Sequence, residues 1–353
     1  MPSEQKTLYS QGLNFASYIK DGVDQRTGQC TFTVSLFDAP SEARNLPPLK
    51  LSLTHNPLNP YDAGFGKRMV AQPFELPAPR GAQGPTPVNR RALSSHPHRL
   101  PSGVVETLSN ASNTYKMTVP IRLDAANGRS LTLRWSQFDG EPRLSSIQDG
   151  SDVLLRVDYQ YPRVSVTRAP DSSEKSTLTF RRQDHNLREF KTPTPDLPPW
   201  RFSYQTFPSA TCVTTVYTPT GLVENITYKE NGHRLPPGSP YQAIPCVKMH
   251  VVHPGNGQPS MRTIYTFSTK NFMGYGSGYG RKEGEDNLYR AGYEYEYTST
   301  ASVDGGTQTT NTLSSCRSIW TTRRMPSVVY RVRTPLASAT VTQCPAFFSR
   351  AEY

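Results

Sequence analysis

Leu123–Trp135, LDAANGRSLTLRW, is the stretch that decides the fold class. Leu131, Leu133 and Trp135 alternate with Thr132 and Arg134, the period-two spacing that puts apolar side chains on one face of a strand and polar ones on the other. Asn127-Gly128, just before them, is expected to supply the positive φ angles of a tight hairpin turn. Working outward, the same pattern recurs. Cys30, Phe32, Val34 and Leu36 alternate with Thr31, Thr33 and Ser35, and Leu49, Leu51 and Leu53 repeat the spacing after Pro47-Pro48. Asn56-Pro57 and Asn59-Pro60 mark turns, because a residue before proline is pushed out of the helical region. Short strands are expected around 153–159, 164–166, 177–180 and 201–204, with turn residues between them.

Composition agrees with strands. Tyr (19) and Phe (14) are plentiful, Pro (32) and Gly (24) punctuate often, and helix-period runs are hard to find. The chain's 353 residues are enough for one large or two ordinary domains. No apolar run approaches a membrane span, and the N-terminal MPSEQKTLYSQGLNF has no apolar core segment. The expectation is cytosolic synthesis without a Sec signal, with export open only by a signal-less route. Cys30, Cys212, Cys246, Cys316 and Cys344 are far apart, odd in number and without a CxxC pair, which is neither a disulfide framework nor a zinc site.

A unit recurs in VYTPTGLVENITYKENGHRL. Tyr217 precedes Gly221 by four residues and Tyr228 precedes Gly232 by the same interval. A Tyr that ends a strand packs its ring on the sheet while the Gly makes the following turn, and stacked hairpins of this kind bury a face only against their neighbours. Tyr293, Tyr295 and Tyr297 alternate with Glu294 and Glu296. That stripe reads first as a half-buried strand and second as a sugar-stacking face.

Five stretches carry a resemblance: NFASYIKDGVDQRTGQCTFTVSL, PPLKLSLTHNPLNPYDAGFGK, AANGRSLTLRWSQFDGEPRLSSIQDGS, TPTGLVENITYKENGHRLPPG, and NFMGYG with EDNLYRAGYEYEYTST. The chain resembles the N-terminal part of bacterial RHS/YD-repeat proteins of the insecticidal toxin-complex C-component kind, over roughly residues 11–67 and 103–309. The resemblance implies an all-β fold of antiparallel hairpin repeats that form a curved sheet. It also implies a role as part of the hollow shell that encloses a toxic segment in full-length members. Those that release a toxin carry a DPxG segment, and none occurs here, so neither self-cleavage nor a toxin is carried over.

Between Lys67 and Pro101 six basic residues face Glu75 alone, a net +5, and from Asn311 onward six arginines face Glu352 alone, again +5. These two segments hold +10 of the formal +11, so the basicity belongs to them and a nucleic-acid partner is not expected from it. Where the family pattern after GFGK continues Gly-Trp, this chain has Arg68-Met69-Val70. Met has one codon and every Val codon begins with G, so a frame shifted by one base across Met69-Val70 reads Trp, and the codon before it admits Gly. The expected organisation is therefore RHS-like strands over 1–67, an irregular Pro/Arg-rich segment over 68–101 read out of frame, RHS/YD-like repeats over 102–309, and an irregular basic tail over 310–353 under the same suspicion. On this reading the chain is a truncated remnant that ends at an accidental stop.

Motifs for chemistry are weak. Gly274, Gly276, Gly278 and Gly280 in GYGSGYG lack the following helix that a phosphate loop needs and read as an inter-strand loop. His250 and His253 point to opposite faces of a strand, and His96 and His98 have no carboxylate or thiolate neighbour. The sequons at Asn110 and Asn225 read as chance. No catalytic, cofactor-binding or metal-ligating residue is expected, and no enzyme. The expected function is that of a non-catalytic structural fragment of a toxin-encapsulating shell, with other shell components or a toxin cargo as partners. The alternative is a carbohydrate-binding or cell-surface interaction module using aromatics near Tyr293.

Overall fold

The computed structural model describes residues 19–38, 46–47, 49–59, 62–72, 96–99, 103–112, 117–282, 287–290, 295–304, 308–316, 327–333 and 342–343. Its regular structure is nearly all β, in two antiparallel sheets of consecutive hairpins. The first sheet is four-stranded, in the order β1 (Ile19–Asp24), β2 (Gln29–Asp38), β3 (Lys50–His55), β4 (Met69–Gln72). The second begins with β5 (His96–Arg99), β6 (Val105–Ser112), β7 (Met117–Asp124), β8 (Ser130–Phe138), β9 (Glu141–Asp149) and β10 (Asp152–Gln160). It continues through β11 (Arg163–Arg168), β12 (Ser176–Gln183), β13 (Asn186–Lys191), β14 (Trp200–Thr206), β15 (Thr211–Tyr217) and β16 (Val223–Arg234). The remaining strands are β17 (Ala243–His253), β18 (Met261–Phe267), β19 (Glu296–Val303), β20 (Gln308–Cys316), β21 (Ser327–Arg333) and β22 (Thr342–Gln343), with one helical turn, α1 (Asn287–Arg290), before β19. Each strand from β5 to β22 pairs with the next in chain order, and among the described residues no ladder joins β22 to β5, so the sheet is open.

β4 begins at Met69, beyond the sequence boundary at residue 67. Met69 is fully buried and opposite His55, so the strand pattern of the first sheet continues into the segment expected to be irregular. β5 likewise falls inside 68–101, and β20 to β22 extend the large sheet into the expected tail. The rest of 73–95 and 334–353, apart from β22, lies outside the described residues.

Turn chemistry explains the hairpins, with one change from expectation. In Ala125–Arg129 the Gly128 amide donates to the Ala125 carbonyl and the Ala125 amide to the Arg129 carbonyl, and Gly128 alone takes a positive φ, +83°. This is the three-residue loop with a glycine bulge, not the two-residue turn that Asn127-Gly128 suggested. Asn127 instead turns its side-chain oxygen to the Arg129 amide at 3.0 Å. Thr218–Leu222 repeats the geometry with Gly221 at +88°. The second Tyr-Gly unit does not. Gly232 lies inside β16, where a Cβ would meet the Cys246 side chain and backbone, so there the glycine serves close packing.

The small sheet lies face to face on the large one, and the buried sides of both make one core. Phe32, Val34, Leu36, Leu51 and Leu53 are at most 1% exposed, and each contributes about 2 kcal/mol of burial. Phe32 stacks on Phe202 of β14 at 4.4 Å, and Phe65 meets Phe180 edge-on at 5.0 Å. Polar pins fix the register of the two sheets. Arg168 Nε donates to the Leu36 carbonyl at 2.7 Å, the Val247 amide to the Gly28 carbonyl at 2.7 Å, and Gln29 Nε2 to the Pro245 carbonyl at 2.7 Å. In the GFGK loop, Asp62 Oδ1 accepts from the amides of Gly64 (2.7 Å) and Gly66 (3.0 Å), while its Oδ2 takes Arg182 at 3.1 Å. Arg182, only 5% exposed in its side chain, also donates to the Gly64 carbonyl at 2.9 Å.

Arg182→Ala strands the Asp62 carboxylate against a sheet that no longer neutralises it. We expect a loss of about 3 kcal/mol in urea unfolding, the scale of a broken buried ion pair, and a comparable loss for Asp62→Asn, which leaves the more deeply buried guanidinium without its counter-charge.

Two histidines are buried where the sheets meet. His55 stacks on Phe32 at 5.0 Å and faces Tyr204 at 5.7 Å, and burial, aided by the Arg68 charge, pushes its pKa down to about 3. His233 lies between Phe267 and Phe272, and burial lowers it to about 4, with the Thr27 backbone opposing and Lys229 adding to the shift. Both folded values lie below that of the free imidazole, so the unfolded chain takes up protons first. Stability is full above about pH 6.5 and falls as the pH drops toward 4, by up to about 1.4 kcal/mol per pH unit for each histidine. Urea midpoints at pH 7 and pH 5 check this: His55→Phe, which keeps the stack, should flatten the dependence.

Candidate functional site

Among the described residues the large sheet has a recess at a fork between β7 and β8. The two strands pair only over Arg122–Asp124 against Ser130–Thr132 and then diverge. The cause is in the sequence. Pro120 has no amide to give to a ladder, and its carbonyl, aimed at β8, accepts the Trp135 indole Nε1–H at 2.7 Å instead. A register shift in the β8–β9 pairing between Arg134 and Trp135 turns the indole toward the gap. The resulting cleft of about 550 Å³ has an apolar floor of Val119, Leu133 and Pro142 and a polar rim that includes Arg122, Arg134, Ser136 and Gln137. Both rim arginines are engaged, Arg122 with Asp124 at 2.7 Å and Arg134 with Gln148 at 3.2 Å. The cleft offers shape and hydrogen bonding, and the acid–base groups of a reaction centre do not converge in it.

A second arrangement lies on β16 and β17. His250 Nε2 is 2.7 Å from Glu224 Oε2, both side chains being mostly buried. They share the face of Ile226, which is opposite His250 in the register. A carboxylate that orients an imidazole is two-thirds of a nucleophile-activating triad. Among the described residues no serine or cysteine is hydrogen-bonded to His250. His253 instead bonds Ser260 through Nδ1 at 2.7 Å, away from that pair.

The residues singled out in the sequence fall as follows. Tyr295 and Tyr297 are each 4% exposed, in a second cluster with Ile244, Phe272 and Leu288. The Tyr295 hydroxyl accepts from the Asn271 amide and shares its single proton between the Asn271 and Tyr275 carbonyls, and burial raises its pKa to about 12. These rings are walled in and cannot stack on a sugar, which corrects the placement of a carbohydrate face here; Tyr293 lies outside the described residues. Gly274, Gly276 and Gly278 take positive φ in the loop between β18 and β19, whose Arg281 amide rests on the Pro237 carbonyl at 2.8 Å. Cys30, Cys212 and Cys246 are buried free thiols, and burial raises Cys212 to about 12 and Cys246 to about 11, far from a reactive thiolate. His96 and His98 are in β5, opposite Leu108 and Glu106. Asn225 accepts weakly from Thr215 within the sheet, at 3.4 Å. Among the described residues no group of three or more His, Cys, Asp or Glu is placed to hold a metal ion.

The fork was missed in the sequence, although a proline inside an alternating strand is its signal. Trp135→Phe removes the indole donor and leaves the Pro120 carbonyl unmatched. Denaturation should show a loss of about 1 kcal/mol, and amide exchange along 117–121 should quicken. In comparisons with known proteins, no family model and no curated protein matches the chain.

Proposed function

We propose that the chain is a non-catalytic wall element of an RHS/YD-type toxin-encapsulating shell. The observation that supports it is the run of strands β5 to β22, side by side in chain order, with the small sheet filling one face. Sequential hairpins of this kind extend by repetition, and each adds a strip of wall without needing a site. The free backbone edges of an open sheet suit pairing with further sheet, which is how a wall grows. A one-base shift of reading frame near Arg68 is part of the proposal. The gene tests it, since the shifted frame must encode Gly-Trp after Lys67.

The functional test joins a disordered reporter peptide to the C-terminus and follows its digestion by trypsin alongside sedimentation of the fusion. Edge-paired assemblies that slow the cut several-fold are the expected result. A monomer whose reporter is cut as fast as one attached to an unrelated β-protein would sink the reading.

A further inference from the structure

The face of the large sheet that points away from the small sheet carries a lateral row of cations. In the register, Arg163 is opposite Arg181, Arg181 opposite Glu189, Glu189 opposite Arg201, and Arg201 opposite Tyr217. Their chain neighbours Val164, Phe180, Phe190, Trp200 and Val216 are all buried in the core, so the row itself points outward. Arg163 and Arg181 are like charges directly across a ladder, an arrangement that costs stability. Among the described residues neither Arg163 nor Arg201 has a carboxylate partner, and Arg181 reaches Glu189 only at 3.6 Å. Tyr217, 41% exposed, lies under the Arg201 guanidinium at 5.8 Å.

We propose that this row docks an acidic polysaccharide carrying one carboxylate per disaccharide. The paired guanidiniums of Arg163 and Arg181 close on one carboxylate, since their planar forks match it in geometry and charge and relieve each other's repulsion. Arg201 is two strands from Arg181, about 10 Å at the usual strand spacing, close to the length of one disaccharide unit, and takes the next carboxylate. Glu189, between them, faces the uncharged sugar and accepts its hydroxyls. Tyr217 offers its ring at the Arg201 end of the row for the flat face of a pyranose. Glu189 also decides against a nucleic acid, whose phosphate on every nucleotide would place a negative charge against it. Nothing in this surface depends on the wall reading.

The test is calorimetric titration of the full chain at low salt with hyaluronan oligosaccharides, a neutral glucan of equal length and a single-stranded dT oligonucleotide. Hyaluronan should bind, the glucan should not, and added salt should weaken the complex. Arg181→Glu should lower affinity by about tenfold or more, while Lys175→Glu, the same charge change in the exposed turn before β12, should not. Arg163→Gln combined with Arg201→Gln, which removes charge without creating any, should act in the same direction with circular dichroism unchanged. No binding of hyaluronan, equal loss in Lys175→Glu and Arg181→Glu, or tighter binding of the oligonucleotide would each overturn the proposal.

Discussion

The buried guanidinium of Arg182 is the constraint on which the two-sheet arrangement depends. It reaches from β12 to the Asp62 carboxylate and the Gly64 carbonyl, and Asp62 in turn holds the amides of Gly64 and Gly66. A cation nearly sealed from water is tolerable only with its charge met, so the closed core requires the loop that meets it to be docked. The loop pays this back in position: Gly66 sits so near the Leu187 amide that a Cβ would come within 2.8 Å, and the Lys67 amide bonds the His185 carbonyl at 2.7 Å. Charge fixes where the small sheet lands, and hydrophobic area supplies most of the hold.

The aromatic contacts between the sheets follow from that landing. With GFGK docked on the β12–β13 turn, Phe32 comes to rest on Phe202 and His55 beside Tyr204. The imidazoles act as flat, neutral core rings, which links a packing feature to the proton concentration outside. The inner face is thus committed to packing, and the polar chemistry of the molecule is left to the fork, the Glu224–His250 pair and the outward face.

Much of the local structure is legible in the sequence. The alternations at Cys30–Leu36, Leu49–Leu53 and Leu131–Trp135 mark strands with the correct apolar faces, because period two is a one-dimensional signal. Pairing of strands in chain order follows from short turns for most neighbours, the long 268–295 connection between β18 and β19 excepted. The division into two stacked sheets is not legible, since the contacts that make it, such as Arg168 with Leu36, join residues far apart in the chain. Gly221 and Gly232 share a spacing with Tyr yet differ in role, because Cys246 crowds only the second. The tyrosines at 295 and 297 read in the sequence as one face of a half-buried strand, but the sequence does not show that Phe272 and Leu288 cover that face. The arginine row is invisible in the sequence for the same reason: Arg163, Arg181 and Arg201 become neighbours only once register is set.

Between β5 and β21 the large sheet is narrowest where β13 meets β14, joined through Glu189–Arg201 and Phe190–Trp200. The small sheet straddles that seam, gripping β12 through Arg182 and the β12–β13 turn through Lys67 on one side, and β14 through Phe202 and Tyr204 on the other. It therefore works as a splint. Tension pulling the two halves of the sheet apart is shared with an entire second layer, and this two-pair joint is not the first to tear.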